Sequence, residues 1–234
     1  MPYPRQRAAE RVFAWAGGGA FVASLTFCAY AYAFRWGAAA EAAAWNAGHL
    51  AWNAALVTAF AAHHSIFART VVKEWMARAV PPRLNRSVYV WIASLLLIVV
   101  VAAWRPAGGS LYRVGGWLAA ALTSVQLIGV WLIARAVSAI APLELAGIHP
   151  PRPNDSLQAG GPYRVVRHPL YLGWMLIVFG AAHMTADRLA FAGLTSAYLV
   201  VAIPWEERAL EAAFGVQYAD YRRTVRWRII PFVY

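Results

Sequence analysis

Long apolar runs constrain this chain more than any other feature of its sequence. Three of them, 12–34, 87–104 and 114–140, contain one formal charge between them, at Arg135. A bilayer with a hydrocarbon core about 30 Å thick is crossed by roughly 20 apolar residues in a helix. Each of these runs therefore predicts a transmembrane helix.

Three further runs are less regular. Polar side chains interrupt the uncharged run 45–67 at Asn46, His49, Asn53, His63 and His64. We interpret this run as a span whose polar side faces protein. The shorter runs 169–185 and 189–203 are separated by Asp187 and Arg188, which predicts a tight helical hairpin. The predicted fold is all-α, a polytopic bundle of about six spans.

Composition and charge agree with a membrane protein. The chain is 61% hydrophobic and 13% charged, whereas a soluble domain is about 45–50% apolar and about 25% charged. With six spans and both termini in the cytoplasm, 17 of the 21 Lys and Arg residues lie inside and 4 outside. Cytoplasmic loops of membrane proteins carry this excess. We therefore expect cytoplasmic termini and a lipid bilayer as partner, and no nucleic-acid partner. The sequence leaves the oligomeric state open.

The chain divides by composition at about residue 140. Residues 1–140 form the predicted four-span membrane region. Residues 141–234 form the predicted cofactor-binding, catalytic region, which contains a Pro- and Gly-rich cytoplasmic loop (141–167), the hairpin and a C-terminal helix. Apolar residues recur at spacings of three and four over 207–225, which predicts an amphipathic helix at the membrane interface.

Two segments of this second region contain polar residues that a purely structural bundle does not need. The first, GGPYRVVRHPLYLG, covers residues 160–173. Pro169 can open a helix, whose free N–H groups beside Arg167 and His168 suit a carboxylate or phosphate. Rings suited to a flat heterocycle or a cation, and glycines that permit close backbone approach, complete the segment: Tyr163, Tyr171, Gly161 and Gly173.

The second segment begins with Glu206 and Glu207, which follow the last apolar run directly. Carboxylates at a membrane boundary can bind hydroxyl or amino groups of a cofactor or orient a substrate. Either glutamate, or His168, could also act as a general base, and the residues alone do not choose among them. No metal site is expected, because the histidines lack the several His-rich boxes of a di-iron enzyme.

The two segments together resemble the isoprenylcysteine carboxyl methyltransferase and phospholipid methyltransferase superfamily. The similarity lies in GPYRVVRHPLYLGW and, about 30 residues later, WEERALEAAFGVQYADYRRTVRWRIIP. The motifs HHSIFAR (63–69), RSVY (86–89) and WRP (104–106) resemble the bacterial NnrU-type and methanethiol S-methyltransferase branches. The resemblance implies a membrane methyltransferase of a bacterial inner membrane that uses S-adenosylmethionine.

The same resemblance implies roles for individual residues. The cofactor would contact Gly161, Tyr163, Arg167, His168, Tyr171, Gly173 and Glu206. The catalytic residues would be Glu206, Glu207 and His168. His63 and His64 are candidates for substrate binding, although hydrogen-bonded packing would also explain them.

One departure from the family pattern concerns the methyl acceptor. Family members commonly place an Arg shortly before the acidic pair, where it could hold an acceptor carboxylate, whereas this chain has Val-Ala-Ile-Pro at 201–204. The expected acceptor is small or lipophilic: a thiol, a prenylcysteine carboxylate or a lipid amine. This departure argues against the carboxylate and leaves a thiol, an amine or a hydroxyl open. The alternatives are an NADPH-dependent sterol-reductase-like enzyme, which shares the Arg-His-Pro-x-Tyr-x-Gly run, and a non-catalytic NnrU-type membrane factor.

Overall fold

The computed structural model describes residues 7–38, 44–67, 72, 75–76, 78, 80–149 and 156–234. Most of these residues are helical. The helices are α1 (Ala8–Tyr30, continued by a π-helical segment Ala31–Arg35), α2 (Ala47–Phe67), α3 (Asn85–Ala102), α4 (Gly116–Ala139), α5 (Pro142–Leu145), α6 (Pro169–Phe179), α7 (Ala186–Phe214) and α8 (Val216–Thr224). Short 3-10 helices lie at Pro82–Leu84 and Gly161–Arg164, and two strands, β1 (Ser110–Arg113) and β2 (His183–Thr185), form the sheet.

Four helical segments of the described chain are long and apolar enough to cross a membrane. They are Ala8–Arg35, Pro82–Ala102, Gly116–Ala139 and Ala186–Phe214. The first three confirm the predicted helices at 12–34, 87–104 and 114–140. The predicted number of six is not confirmed, because α2 is not among the four and α6 has 11 residues. At 1.5 Å per residue, α6 is about 16 Å long and too short to cross the hydrocarbon core.

The predicted helical hairpin over 169–203 is wrong in its first arm. Helix α6 ends at Phe179, where the N–H of Gly180 bonds to the carbonyl of Leu176. The chain then forms β2, which pairs antiparallel with β1. A strand pairing with a segment about 70 residues away leaves no pattern in the local sequence, so apolar content alone extended the predicted helix too far.

The predicted boundary between the last span and the C-terminal helix is also wrong. Helix α7 continues through Pro204 and the acidic pair to Phe214. The break comes at Gly215, whose φ of +52° lies in the left-handed region that glycine adopts without steric cost. The predicted helix over 207–225 is therefore the end of α7 followed by the separate helix α8.

The chain forms two compact units. The first comprises Met1–Arg35, Ala47–Arg105 and Ala141–Asp155. Within it, the Trp91 indole donates a 3.1 Å hydrogen bond to the carbonyl of Phe13, which joins α3 to α1. Glu10 of α1 accepts a 2.9 Å hydrogen bond from Arg83, just before α3.

The second unit comprises Trp36–Asn46, Pro106–Ile140 and Ser156–Tyr234. Helix α4 therefore shares a compact unit with Ser156–Tyr234 of the predicted catalytic region, whereas Ala141–Asp155 belongs to the first unit. The functional division at residue 140 stays a prediction. Helices α4 and α6 meet closely at two glycines. A Cβ on Gly173 would lie 2.8 Å from the carbonyl oxygen of Gly129 and 2.7 Å from the Ile133 side chain. Only glycine permits this approach of the two backbones.

Candidate functional site

The acidic pair of α7 presents two carboxylates in different environments. The Glu207 side chain is 6% exposed, whereas that of Glu206 is 38% exposed. Successive residues of an α-helix point about 100° apart, so the continuation of α7 through both residues turns one inward and leaves the other accessible. The two glutamates are therefore suited to different roles.

Glu207 is the centre of a cluster of basic side chains. Arg167 Nε donates a 2.7 Å hydrogen bond to Glu207 Oε1. Arg228 Nε lies 3.4 Å from Glu207 Oε2, and His168 Nε2 lies 3.5 Å from Oε1. A buried carboxylate is tolerated when it is paired and hydrogen-bonded. The two guanidinium groups satisfy this requirement.

The C-terminal segment fixes Arg167 and His168 from a second direction. Arg167 Nη1 donates hydrogen bonds of 2.8 Å to the carbonyls of Val225 and Arg226. The backbone N–H groups of Arg167 and His168 donate to the carbonyls of Trp227 and Arg228, at 2.9 and 2.8 Å. Residues 225–228 thus run beside the start of α6 and hold both side chains in place.

His168 lies between the two glutamates. Its Nδ1 is 3.6 Å from Glu206 Oε2, and its Nε2 is 3.5 Å from Glu207 Oε1. The ring stacks on Tyr171, with centroids 5.2 Å apart and planes 15° apart, and the Tyr171 hydroxyl donates a hydrogen bond to Glu206. Both distances to the carboxylates are long for direct hydrogen bonds, so stacking and backbone contacts hold the ring.

A cluster of buried tyrosines packs beside this site. Tyr163, Tyr218 and Tyr221 form a core with Ala136 and Val225. The Tyr221 hydroxyl donates a 2.7 Å hydrogen bond to the carbonyl of Tyr163, which ties α8 to the loop before α6. Burial raises the pKa of Tyr163 and that of Tyr218 to about 12 each, and nearby glutamates add to both shifts. Both phenols therefore stay protonated and neutral near pH 7.

The two predicted glycines differ in their surroundings. Gly161 has a φ of +57°, and a Cβ built there would meet no heavy atom within 4 Å of the described chain. Gly173 faces α4 in the close helix contact, which gives it a structural role. Cofactor binding by Gly161, Tyr163 and Gly173 stays a prediction.

His63 and His64 lie on α2 in the first unit. The His63 ring stacks on Tyr89, with centroids 5.4 Å apart and planes 17° apart, and lies 4.4 Å from the Phe67 ring. His64 contacts the Tyr89 hydroxyl. These contacts fit interior packing for His64, whereas both ring nitrogens of His63 are buried without a hydrogen-bond partner in the described chain. The proposed part of both histidines in substrate binding stays a prediction.

The structure adds Arg228 and the carbonyls of 225–227 to the site, which sequence reasoning missed. The signal for Arg228 was its position as a basic residue in the mainly apolar segment that follows α8. In the sequence it contributed only to the count of cytoplasmic basic residues.

Comparison with known proteins gives a consistent set of relatives. The family model described as phospholipid methyltransferase matches residues 114–217. Methanethiol S-methyltransferase 2 of Bradyrhizobium diazoefficiens is 37% identical over 182 residues, which cover 74% of this chain and 70% of the relative. Methanethiol S-methyltransferase of Mycobacterium tuberculosis is 37% identical over 186 residues, which cover 74% of this chain and 75% of the relative.

A plant relative matches a smaller region. Protein-S-isoprenylcysteine O-methyltransferase A of Arabidopsis thaliana is 37% identical over 83 residues, which cover 34% of this chain and 42% of the relative. No solved structure matches the chain.

Proposed function

This chain belongs to the membrane methyltransferase family of the methanethiol S-methyltransferases, and we propose that it methylates a small thiol with S-adenosylmethionine. The observation that carries the proposal is the linked set Arg167, His168, Tyr171, Glu206 and Glu207. It places one accessible carboxylate and one imidazole on a rigid, charge-balanced support.

The residues at the accessible side of this set fit the proposed cofactor. S-adenosylmethionine supplies a methyl group on a positively charged sulfonium, together with an ammonium, a carboxylate and ribose hydroxyls. The partly exposed Glu206 can accept hydrogen bonds from hydroxyl or ammonium groups, and the Tyr171 ring offers a face to a cation. Open space at Gly161 leaves room for a ligand against the backbone. We assign cofactor binding to this side, with Arg167 supporting it from within.

A thiol is the acceptor that the sequence and the relatives favour. The relatives that cover most of this chain are named for methanethiol, whereas the isoprenylcysteine relative matches about a third of it. Residues 201–204, just before the acidic pair, include no basic side chain to hold an acceptor carboxylate. A thiol lacks that carboxylate and instead needs a base.

We assign His168 the role of base. Imidazole is a common general base in enzymes, and the His168 ring lies between the carboxylates of Glu206 and Glu207. His168 Nδ1 would accept the thiol proton as the thiol sulfur takes the methyl group. S-adenosylmethionine would supply that methyl group, and the electron pair of the broken carbon–sulfur bond would stay on its sulfur. Glu206 and Tyr171 would orient the reacting groups.

Glu207 is assigned a positioning role. Its carboxylate is buried and already paired with Arg167 and Arg228. It holds Arg167 just before α6 without needing to touch the ligand.

We further propose that the protein lies in a bacterial inner membrane with both termini in the cytoplasm. The distribution of basic residues supports this orientation. This orientation requires two crossings besides the four long apolar helices, and we assign them to α2 and to the segment 169–185, in which α6 is followed by β2. The site, near the C-terminal end of α7, would then open to the cytoplasm, where the cofactor is made.

The test uses purified protein and S-adenosylmethionine labelled in the methyl group. The acceptors are methanethiol, a prenylated cysteine and an amine lipid, each supplied alone. We expect label mainly in the thiol product, with S-adenosylhomocysteine as a competitive inhibitor. Label mainly in the prenylcysteine ester or the lipid would overturn the acceptor assignment. Binding of NADPH without binding of either methyl compound would favour a reductase, and binding of none of them a non-catalytic factor.

A further inference from the structure

We propose that Arg228 is a positioning residue that neutralises Glu207 and so keeps His168 available to accept a proton. This inference rests on the proposed role of His168 as base. Arg228 lies in the segment after α8, inside the second family-like motif (205–231), but it was not among the predicted site residues.

Arg228 is held by contacts on both of its sides. Its Nε lies 3.4 Å from Glu207 Oε2, on the opposite oxygen from the one that Arg167 binds. Its Nη1 donates a 2.9 Å hydrogen bond to the Tyr234 hydroxyl, and its guanidinium lies 5.1 Å from the centre of the Tyr234 ring. The side chain is 35% exposed. Tyr234 thus restrains a cation that would otherwise be free to leave the carboxylate.

The charge on Glu207 acts on His168, because the imidazole is the third basic group near this carboxylate, beside Arg167 and Arg228. An unneutralised carboxylate 3.5 Å from Nε2 would favour the protonated imidazolium as a counter-charge. An imidazolium has no free lone pair and cannot take a proton from a thiol. With Arg167 on Oε1 and Arg228 near Oε2, two guanidinium groups balance the charge of the Glu207 carboxylate.

The other groups around His168 do not replace Arg228. Glu206 adds a second negative charge near Nδ1, and Tyr171 stacks on the ring. Tyr218 interacts with Glu207 and Arg167 but carries no charge near pH 7, because burial raises its pKa to about 12. The charged and titratable groups near the ring or its two carboxylates include Arg167, Tyr163, Tyr171, Glu206, Glu207, Tyr218 and Arg228. Two cations balance two carboxylates, so loss of Arg228 leaves a net negative charge around His168.

The experiment compares the wild type with Arg228→Gln, Arg228→Lys and a control, Arg223→Gln. Arg223 pairs with Asp220 on the surface of α8, and its side chain is 82% exposed, so its replacement removes the same charge away from the site. Two readouts are used. One is the dependence of kcat/KM for methanethiol on pH. The other is the titration of the His168 ring in ligand-free protein labelled with 15N-histidine, assigned by loss of its signal in His168→Gln.

We expect the acidic limb of the profile and the His168 titration to move upward together in Arg228→Gln, by about half a pH unit or more. The direction follows because removing a nearby positive charge stabilises the protonated ring. Arg228→Lys should restore most of the shift, and Arg223→Gln should match the wild type. If Arg228→Gln does not fold, Tyr234→Phe, which removes one of the contacts that hold the Arg228 guanidinium, should give a smaller shift in the same direction.

An Arg228→Gln variant that melts like the wild type and shows neither shift would overturn the proposal. So would equal shifts in Arg228→Gln and Arg228→Lys, since charge would then not be the cause. Failure of the proposed function has a different signature. In that case the wild type would methylate no thiol, while the His168 titration in ligand-free protein would still respond to Arg228.

Discussion

Replacing Glu207 with alanine would remove the acidic partner that Arg167 and Arg228 share. The Arg167 and Glu207 side chains are 7% and 6% exposed, and a 2.7 Å hydrogen bond joins them. Removing one member of a buried ion pair costs about 3–5 kcal/mol, because the remaining charge is left without its counter-charge. At about 2–4 °C per kcal/mol for a chain of this size, we expect the melting temperature to fall by about 6–20 °C.

The matched control is Glu211→Ala on the same helix. Glu211 pairs with Arg222 at 3.3 Å, but both side chains are about half exposed, at 51% and 45%. Exposed pairs contribute about 0–1 kcal/mol, so this control should melt within about 4 °C of the wild type. Thermal unfolding in detergent, followed by circular dichroism, measures both variants.

A double variant separates the ion pair from general damage. Replacing Arg167 and Glu207 together with Met and Leu exchanges the buried charges for apolar groups, which is often nearly neutral for stability. The double variant should therefore melt closer to the wild type than Glu207→Ala does. Equal melting temperatures for Glu207→Ala and Glu211→Ala would refute the view that Glu207 is the buried centre of the site.

Three further outcomes are expected. Tyr171→Phe removes the hydrogen bond to Glu206 but keeps the ring stacked on His168. This variant should turn over about tenfold more slowly, equivalent to about 1.4 kcal/mol, and melt close to the wild type. Unchanged turnover would remove Tyr171 from the site. Gly173→Ala should lower the melting temperature, because its Cβ would meet the Gly129 carbonyl. Gly193→Ala on α7, where a Cβ has open space, should not. Equal melting temperatures of the two variants would contradict the close contact between α4 and α6. Reporter fusions at Tyr234 and in the 105–113 loop should give opposite signals, and matching signals would exclude the proposed orientation.

The spans were the most predictable part of the fold. Apolar length alone located α1, α3 and α4, because hydrocarbon excludes charge over a fixed thickness. The same criterion failed after Phe179, where pairing of β2 with β1 replaces helix. It also failed at the end of α7, because the helix continues past the acidic pair until Gly215 changes the backbone direction.

The candidate site was predictable in its members but not in their arrangement. The motifs contained Arg167, His168, Tyr171 and both glutamates, and the structure brings these five together. The difference between Glu206 and Glu207 depends on the phase of an uninterrupted helix, which the predicted boundary had broken. Arg228 was missed because its contact with Glu207 depends on how the chain turns back after α8.

Dimethyl sulfide formation tests the central claim most directly. Purified protein is supplied with methanethiol and S-adenosylmethionine, and the headspace is analysed by gas chromatography. We predict dimethyl sulfide from the wild type and from Glu211→Gln, and at least about tenfold less, equivalent to about 1.4 kcal/mol, from Glu206→Gln and His168→Gln. No dimethyl sulfide from folded wild-type protein would contradict the proposed activity, and full activity in both site variants would place the active site elsewhere.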